Sequence, residues 1–267
     1  MFRPLLRQVA GALQSRSAEP EPGETTNSDG RGRGPFVGRQ TWLDLLFAHW
    51  PVPVEGVRPL IPGELELDTY DGLAWVGVVP FRLEGLRPRG LPGIPGATDF
   101  LELNVRTYVR FGGRPGVWFF SLDASSRLAV EGARLLYSLP YFAARMESRK
   151  EATSVHYRSS RTDGDARFEA RYEPAGEAFQ AREGTLDHFV VERYRLFAVP
   201  RRGSMRRVEI EHPPWALRPA GAEIGVNTMA AAAGIALPDA PPLLHFVDRQ
   251  DVLTGLPLPA DGGASAP

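Results

Sequence analysis

Apolar and polar positions alternate most cleanly between Leu101 and Arg110. Leu101, Leu103, Val105, Thr107 and Val109 share one parity, and Glu102, Asn104, Arg106, Tyr108 and Arg110 share the other. A period of two over this length predicts a strand with one face against a core. The opposite face carries an acid, an amide and a guanidinium at same-side intervals of roughly 6–7 Å. Such a face is either ordinary solvated sheet or the wall of a polar pocket.

Patterning elsewhere predicts further elements around this strand. The run LAWVGVVPFRL from Leu73 to Leu83 is apolar and β-branched, hence a buried strand. TWLDLLFAHWPV from Thr41 to Val52 is helix or strand on periodicity alone, ended by Pro51 and Pro53. A short helical turn is expected before Pro59, and a turn at Pro62-Gly63. EGLRPRGLPGIPGATD is too dense in glycine and proline for regular structure and reads as a long loop. GGRPG from Gly112 to Gly116 predicts a turn, and VWFFSLDA from Val117 to Ala124 the returning strand. A five-residue loop leaves the register open, and with it whether Ser121 or Asp123 faces Arg106.

SSRLAVEGARLLYS predicts a helix capped by Ser125 or Ser126, with Leu128, Leu135 and Leu136 inward and Pro140 beyond its end. A hairpin is expected from Thr153–Ser160 and Arg167–Glu173 about the turn TDGD. TLDHFVVERYRLFAV reads as a second helix with Thr185 as N-cap. MRRVEIEH from Met205 reads as a strand, the alanines around Met229 as a helical piece, and LLHFV as a short strand before a loose tail.

These elements suit one domain over 36–256, flanked by a disordered segment 1–35 rich in Pro, Gly, Ser and acids and a flexible tail 257–267. The first residues lack the long apolar core and small-residue cleavage site of a signal peptide, and no stretch approaches a membrane span. A formal net charge of −1 gives no reason to expect nucleic acid or a charged membrane surface as partner. Without cysteine there is no disulfide framework, thiolate metal site or cysteine nucleophile, which fits a cytoplasmic protein. Of the 31 basic residues only Lys150 is lysine. The five histidines, at 49, 156, 188, 212 and 245, show no metal-ligand spacing. No phosphate loop, dinucleotide fingerprint or nucleophile elbow occurs, so neither metal nor cofactor is predicted. Self-association into a homo-oligomer stays open.

Several stretches together carry a family resemblance: WLDLLFAHWPV, LIPGELELDTYDGLAWVGVVPF, FLELNVRTYV, PGVWFFSLDA, ARLLYSLPYF, VVERYRLF and HPPW. In this order, from about Trp42 to Trp215, they resemble the bacterial DUF2071 (YqjF-like) family, grouped with acetoacetate-decarboxylase-like proteins. The resemblance implies an α+β fold: a curved antiparallel sheet closing into a barrel or cone around a pocket, with a few peripheral helices. It makes TWLDLLFAHW a strand and turns the polar face of FLELNVRTYV towards the cavity. Relatives that decarboxylate use a Schiff-base lysine flanked by a second lysine, since an amine is nucleophilic only when deprotonated. The resemblance puts Tyr141 and Phe142 at those two positions, and neither forms an imine. Glu102 falls on one of the relatives' pocket glutamates; the second maps near Gly77, and their arginine at the start of the first strand has only Arg39 close by.

Glu102, Asn104 and Arg106 are therefore the leading candidates, with Glu102 as acid or base, and with Arg106 and Asn104 binding substrate, Arg106 as carboxylate partner. Tyr141 is a catalytic candidate by position, or an aromatic wall residue. His49 is a substrate-binding candidate if its strand reaches the cavity, or a packed core histidine. Lys150, beside Arg149 and Glu151, reads as an exposed cation. The function expected is a pocket that binds or transforms a small organic acid or carbonyl compound without imine chemistry. The alternative is a non-catalytic binding or interaction module on the same fold.

Overall fold

The computed structural model describes residues 36–88, 93, 95–200 and 203–260, so segment 1–35 and the tail beyond 260 lie outside the described residues. The fold is mostly sheet. In chain order the strands are β1 Phe36–Val52, β2 Glu66–Leu67, β3 Ala74–Pro88, β4 Phe100–Phe111, β5 Arg114–Ala124, β6 Tyr141–Glu151, β7 Ser154–Arg161 and β8 Arg167–Pro174. They continue with β9 Arg195–Ala198, β10 Arg206–Glu211, β11 Arg218–Asn227, β12 Leu243–Gly255 and β13 Leu258–Pro259. Three short helices interrupt them: α1 Val54–Val57, α2 Arg127–Tyr137 and α3 Leu186–Val191.

One sheet holds all the strands, and its hydrogen-bonded path returns to its start: β4–β5–β6–β7–β8–β11–β12–β1–β3–β4. Pairing is antiparallel except where β5 runs parallel to β6 and β9. The strands β1, β3 and β4 stand between two apolar cores. Leu46, Ala48, Val76, Val78, Leu103 and Val105 meet Tyr157, Phe168, Tyr172 and Phe246 on one side. Leu45, Phe47, Val79, Phe81 and Tyr108 meet Val130 of α2, Val190 of α3 and Trp215 on the other. Burial on both faces explains why LLFAHW and AWVGVVPF read as continuous apolar runs.

Thr41–Val52 is strand, part of β1, as the family resemblance implied, because its tryptophans and leucines have a core to fill on each face. Several other expectations are corrected. The five-residue loop is a two-residue hairpin, Gly112-Gly113, with φ of 55° and 75°, the left-handed pair that matches strand twist. The strand after Leu73 runs to Pro88, where Leu86 N–H donates to Thr98 O, so only part of the glycine- and proline-rich stretch is irregular. The helix from Thr185 stops at Val191, and RLFA becomes β9 because it pairs with β5 and β10. Thr185 does cap that helix, accepting from His188 N–H. Ser126 caps α2, but Leu135 is 46% exposed; the inward side is Val130 with Ala129, Ala133 and Tyr137. The alanines near Met229 form a single 3-10 turn, Ala231–Ala233. β11 was not predicted, although its Ala220, Ala222 and Ile224 alternate with Pro219, Gly221 and Glu223, and LLHFV extends to the 13-residue β12.

Two bulges position the site. In β1, Asp44 takes φ 53°, and the register with β3 shifts between Leu43 and Ala48. The alternation inverts there, so Trp42 and Leu45 face the same cavity. Asp44 is held by Lys150 Nζ at 2.6 Å and Arg82 Nη2 at 3.2 Å. In β5 a register shift leaves Phe120 unpaired and brings Phe119 and Leu122 to one side.

Candidate functional site

On the second parity of β4, Glu102, Asn104 and Arg106 are buried rather than solvated. They line a cavity of about 170 Å³ between the sheet and α2. Trp42, Phe81, Phe119, Tyr137, Tyr141 and Trp215 supply most of its aromatic wall. The polar face is withdrawn from water because α2, α3 and the β9–β10 pair cover it.

Tyr141, at the start of β6, donates its hydroxyl to Glu102 Oε2 at 2.9 Å. Burial pushes the Glu102 carboxyl up to about 8, against the lowering effect of the Tyr141 bond, and the nearby Asp123 charge adds to the rise. Glu102 is thus a neutral carboxylic acid at pH 7. Burial and the adjoining Glu102 also lift Tyr141 well above the usual phenol range, so it remains a donor.

Arg106 lies under the end of α3, with Nη2 donating to Val190 O at 3.2 Å. Its guanidinium sits 4.9 Å from the Phe47 ring centre and 5.7 Å from that of Tyr108. Among the described residues no carboxylate comes within ion-pair distance of it, and its Nε has no partner. Asn104 Oδ1 and Trp42 Nε1 are likewise buried and unpartnered. A buried cation and orphaned polar atoms are costly unless something completes them.

His49 falls outside the cavity wall, so its proposed entry into the cavity is not seen. Its Nε2–H donates to Tyr108 Oη at 2.6 Å, since the Tyr108 hydroxyl itself donates to Val190 O. Burial, with Arg106 and His245 adding to it, pulls its pKa well below the usual histidine value, leaving a neutral core ring. That ring also explains Gly77. A Cβ there would stand 2.9 Å from His49 ring atoms, so the position expected to carry a second glutamate has no room for one.

Neither Ser121 nor Asp123 faces Arg106, whose β5 partner is Phe119. Asp123 is instead fully buried and paired with Arg161 in a fork, at 2.7 and 3.0 Å. Arg161 stacks 3.8 Å from the Phe142 ring centre. Arg193, which lines the cavity wall as Arg195 also does, has its Nη1 held by Asp68 at 2.7 Å. Sequence reasoning missed both pairs, since each joins residues 38 or 125 positions apart with no local pattern. Trp42, read above only as part of an apolar run, reaches the wall through the Asp44 bulge. Lys150, the only lysine, pairs with Asp44 and does not line the cavity. Arg39 is exposed. Among the described residues no three His, Cys, Asp or Glu side chains cluster as a metal site.

The DUF2071 family model, described as an uncharacterized conserved protein, matches residues 39–251. The chain belongs to the DUF2071 family. A relative, the uncharacterized protein YqjF of Bacillus subtilis (strain 168), is 52% identical over 221 residues, 82% of this chain and 91% of that protein. Among solved structures, acetoacetate decarboxylase from Legionella pneumophila is similar with a TM-score of 0.59 at 14% identity, covering 92% of this chain and 94% of that one. The enduracididine biosynthesis enzyme MppR, complexed with pyruvate, is similar with a TM-score of 0.59 at 12% identity, covering 90% and 98%. At such identities the likeness concerns the fold, an acetoacetate-decarboxylase-like one. Among the described residues no helix is long and apolar enough to cross a membrane.

Proposed function

We propose that this DUF2071 member binds a small organic acid in the cavity beneath β4, with Arg106 pairing its carboxylate and Glu102 serving as proton donor. The sheet's self-returning path is read as the wall of a barrel or cone around that cavity. One observation carries the reading: Arg106 is a buried guanidinium on the cavity wall without a carboxylate of its own. The other two wall arginines are paired, Arg193 with Asp68 and Arg195 with Glu209, and Glu102 is uncharged at pH 7. Among the described residues Arg106 is thus the one wall arginine that no carboxylate pairs, and it suits a monoanion. A planar guanidinium matches a carboxylate through two parallel N–H donors.

Size and chemistry narrow the ligand further. At about 170 Å³ the cavity falls below the 300–1,000 Å³ of sites for drug-sized molecules. Glu102, held near 8, is protonated below that pH and can transfer a proton to a ligand oxygen or carbon. Imine chemistry has no amine to use, because the only lysine points at Asp44. MppR in complex with pyruvate offers a small acid on a like fold, which supports the class. The alternative, a non-catalytic binding or interaction module, draws on the same facts: the positions expected to hold lysines carry Tyr141 and Phe142.

A thermal-shift series of small monocarboxylates with the wild type and Arg106→Met tests the reading. A ligand present at about 100 times its Kd stabilises the native state by ~2.7 kcal/mol. Stabilisation of wild type that vanishes in a folded Arg106→Met is the expected result. If no acid raises the melting point of folded wild type, the organic-acid reading falls. Acid binding without turnover of any panel member leaves the module reading standing.

A further inference from the structure

We infer that the acid taken by this cavity is a hydroxy acid, a carboxylate with a hydroxyl on a neighbouring carbon, and that Asn104 selects it over the oxo acid of the same skeleton. The inference rests on the organic-acid reading above and adds the ligand's second functional group.

A count of hydrogen-bonding atoms on the wall leads to it. Arg106 Nε and Trp42 Nε1 are buried donors without partners, and both await an acceptor such as a carboxylate. The acceptors are mostly occupied. Val190 O takes both Arg106 and Tyr108, Glu102 O takes Tyr157 at 2.8 Å, and Glu102 Oε2 takes Tyr141. Asn104 Oδ1 is different: it is buried, on the wall and without a donor.

Asn104 and Arg106 are successive same-side residues of β4, roughly 6–7 Å apart along the strand. A carboxylate at Arg106 therefore places the substituent of its neighbouring carbon towards Asn104. A hydroxyl there donates to Oδ1 while its lone pairs accept from the Glu102 carboxyl. An oxo group only accepts, so it would leave Oδ1 desolvated and facing another oxygen. Sites built to bond a ligand hydroxyl reject analogues that lack it, because the buried polar group is then left unmet.

Calorimetric titration of the full chain at pH 6.5 tests this with butyrate, both enantiomers of 2- and 3-hydroxybutyrate, 2-oxobutyrate and 3-oxobutyrate. The expected result is that one hydroxy acid binds about tenfold or more tightly than its oxo counterpart and than butyrate. Asn104→Leu, nearly isosteric, should bring that hydroxy acid down to the oxo acid's affinity. Equal or tighter binding of the oxo acid or of butyrate to wild type overturns the hydroxy-acid inference and leaves the organic-acid site intact. So does a preserved preference in Asn104→Leu. Failure of every compound to bind folded wild type overturns both.

Discussion

Of the three arginines that line the cavity, Arg193 and Arg106 are held in opposite ways. Arg193 follows α3 and forms an ion pair with Asp68, which Arg110 also grips at 2.9 Å. Burial pulls Arg193 down in pKa and Asp68 holds it up, so its charge is spent within the protein. Arg106 receives one backbone carbonyl and two aromatic faces. The two acids nearby show the same contrast. Asp123 is locked to Arg161, whereas Glu102 has a phenol for company and keeps its proton. Paired charges hold the fold, while the unpaired cation and the protonated acid remain available to a ligand. Burial alone does not separate the two roles; the presence or absence of a charged partner does.

The largest effect should come from breaking a paired charge. Arg161→Met leaves Asp123 fully buried without its cation, and removal of one partner from a buried pair costs ~3–5 kcal/mol. Urea unfolding at pH 7 should show a loss of ~4 kcal/mol; a loss below ~1 kcal/mol would mean the pair is no more than a surface contact. Arg193→Met should cost less, ~3 kcal/mol, because Arg110 stays on Asp68.

Glu102 sets the next effect through pH. Its folded-state value is about 8 against an ordinary 4.5, so the folded protein holds a proton that the unfolded chain releases. Stability from this group is greatest below 4.5 and falls as pH rises from 4.5 to about 8, by ~1.4 kcal/mol per pH unit at most. Glu102→Gln should flatten that slope in melting curves measured across the window. An unchanged slope would place the titration elsewhere. Acid binding should weaken above pH 8 in wild type, where a Glu102 carboxylate would repel the ligand.

Smallest in stability is Arg106→Met. It removes a buried charge without stranding a partner, so unfolding should change by less than ~1 kcal/mol while acid binding drops about 100-fold. A destabilisation equal to that of Arg193→Met would erase the contrast between the two arginines.

Much of this was legible in the chain, and for local reasons. The alternation around Glu102 announced β4, the apolar run from Leu73 announced β3, and Ser126 and Thr185 announced the starts of α2 and α3. What escaped was set by partners far away. RLFA continues a helical pattern, yet strands β5 and β10 claim it. ALRPAGAEIGVN alternates only weakly, with small alanines and glycines at many of its positions, yet β8 and β12 claim it as β11. His49 read as a candidate only if its strand reached the cavity, Arg106 as a leading one; the two lie on different strands, and only packing shows that one ring fills the space over Gly77 while the other group reaches the cavity wall.

By itself the sequence determined a cysteine-free chain with one lysine, a strand carrying Glu102, Asn104 and Arg106 on one parity, and membership of its family. The first two follow from composition and from a two-residue period, which neighbours along the chain suffice to define; the family follows from the match of specific stretches in order along the chain. Tertiary structure alone decided that this polar parity is buried, that Asp44 and Phe120 bulge to turn Trp42 and Phe119 inward, and which charges are paired. Burial and pairing depend on residues tens or hundreds of positions apart, and a side chain's charge and protonation follow from that company.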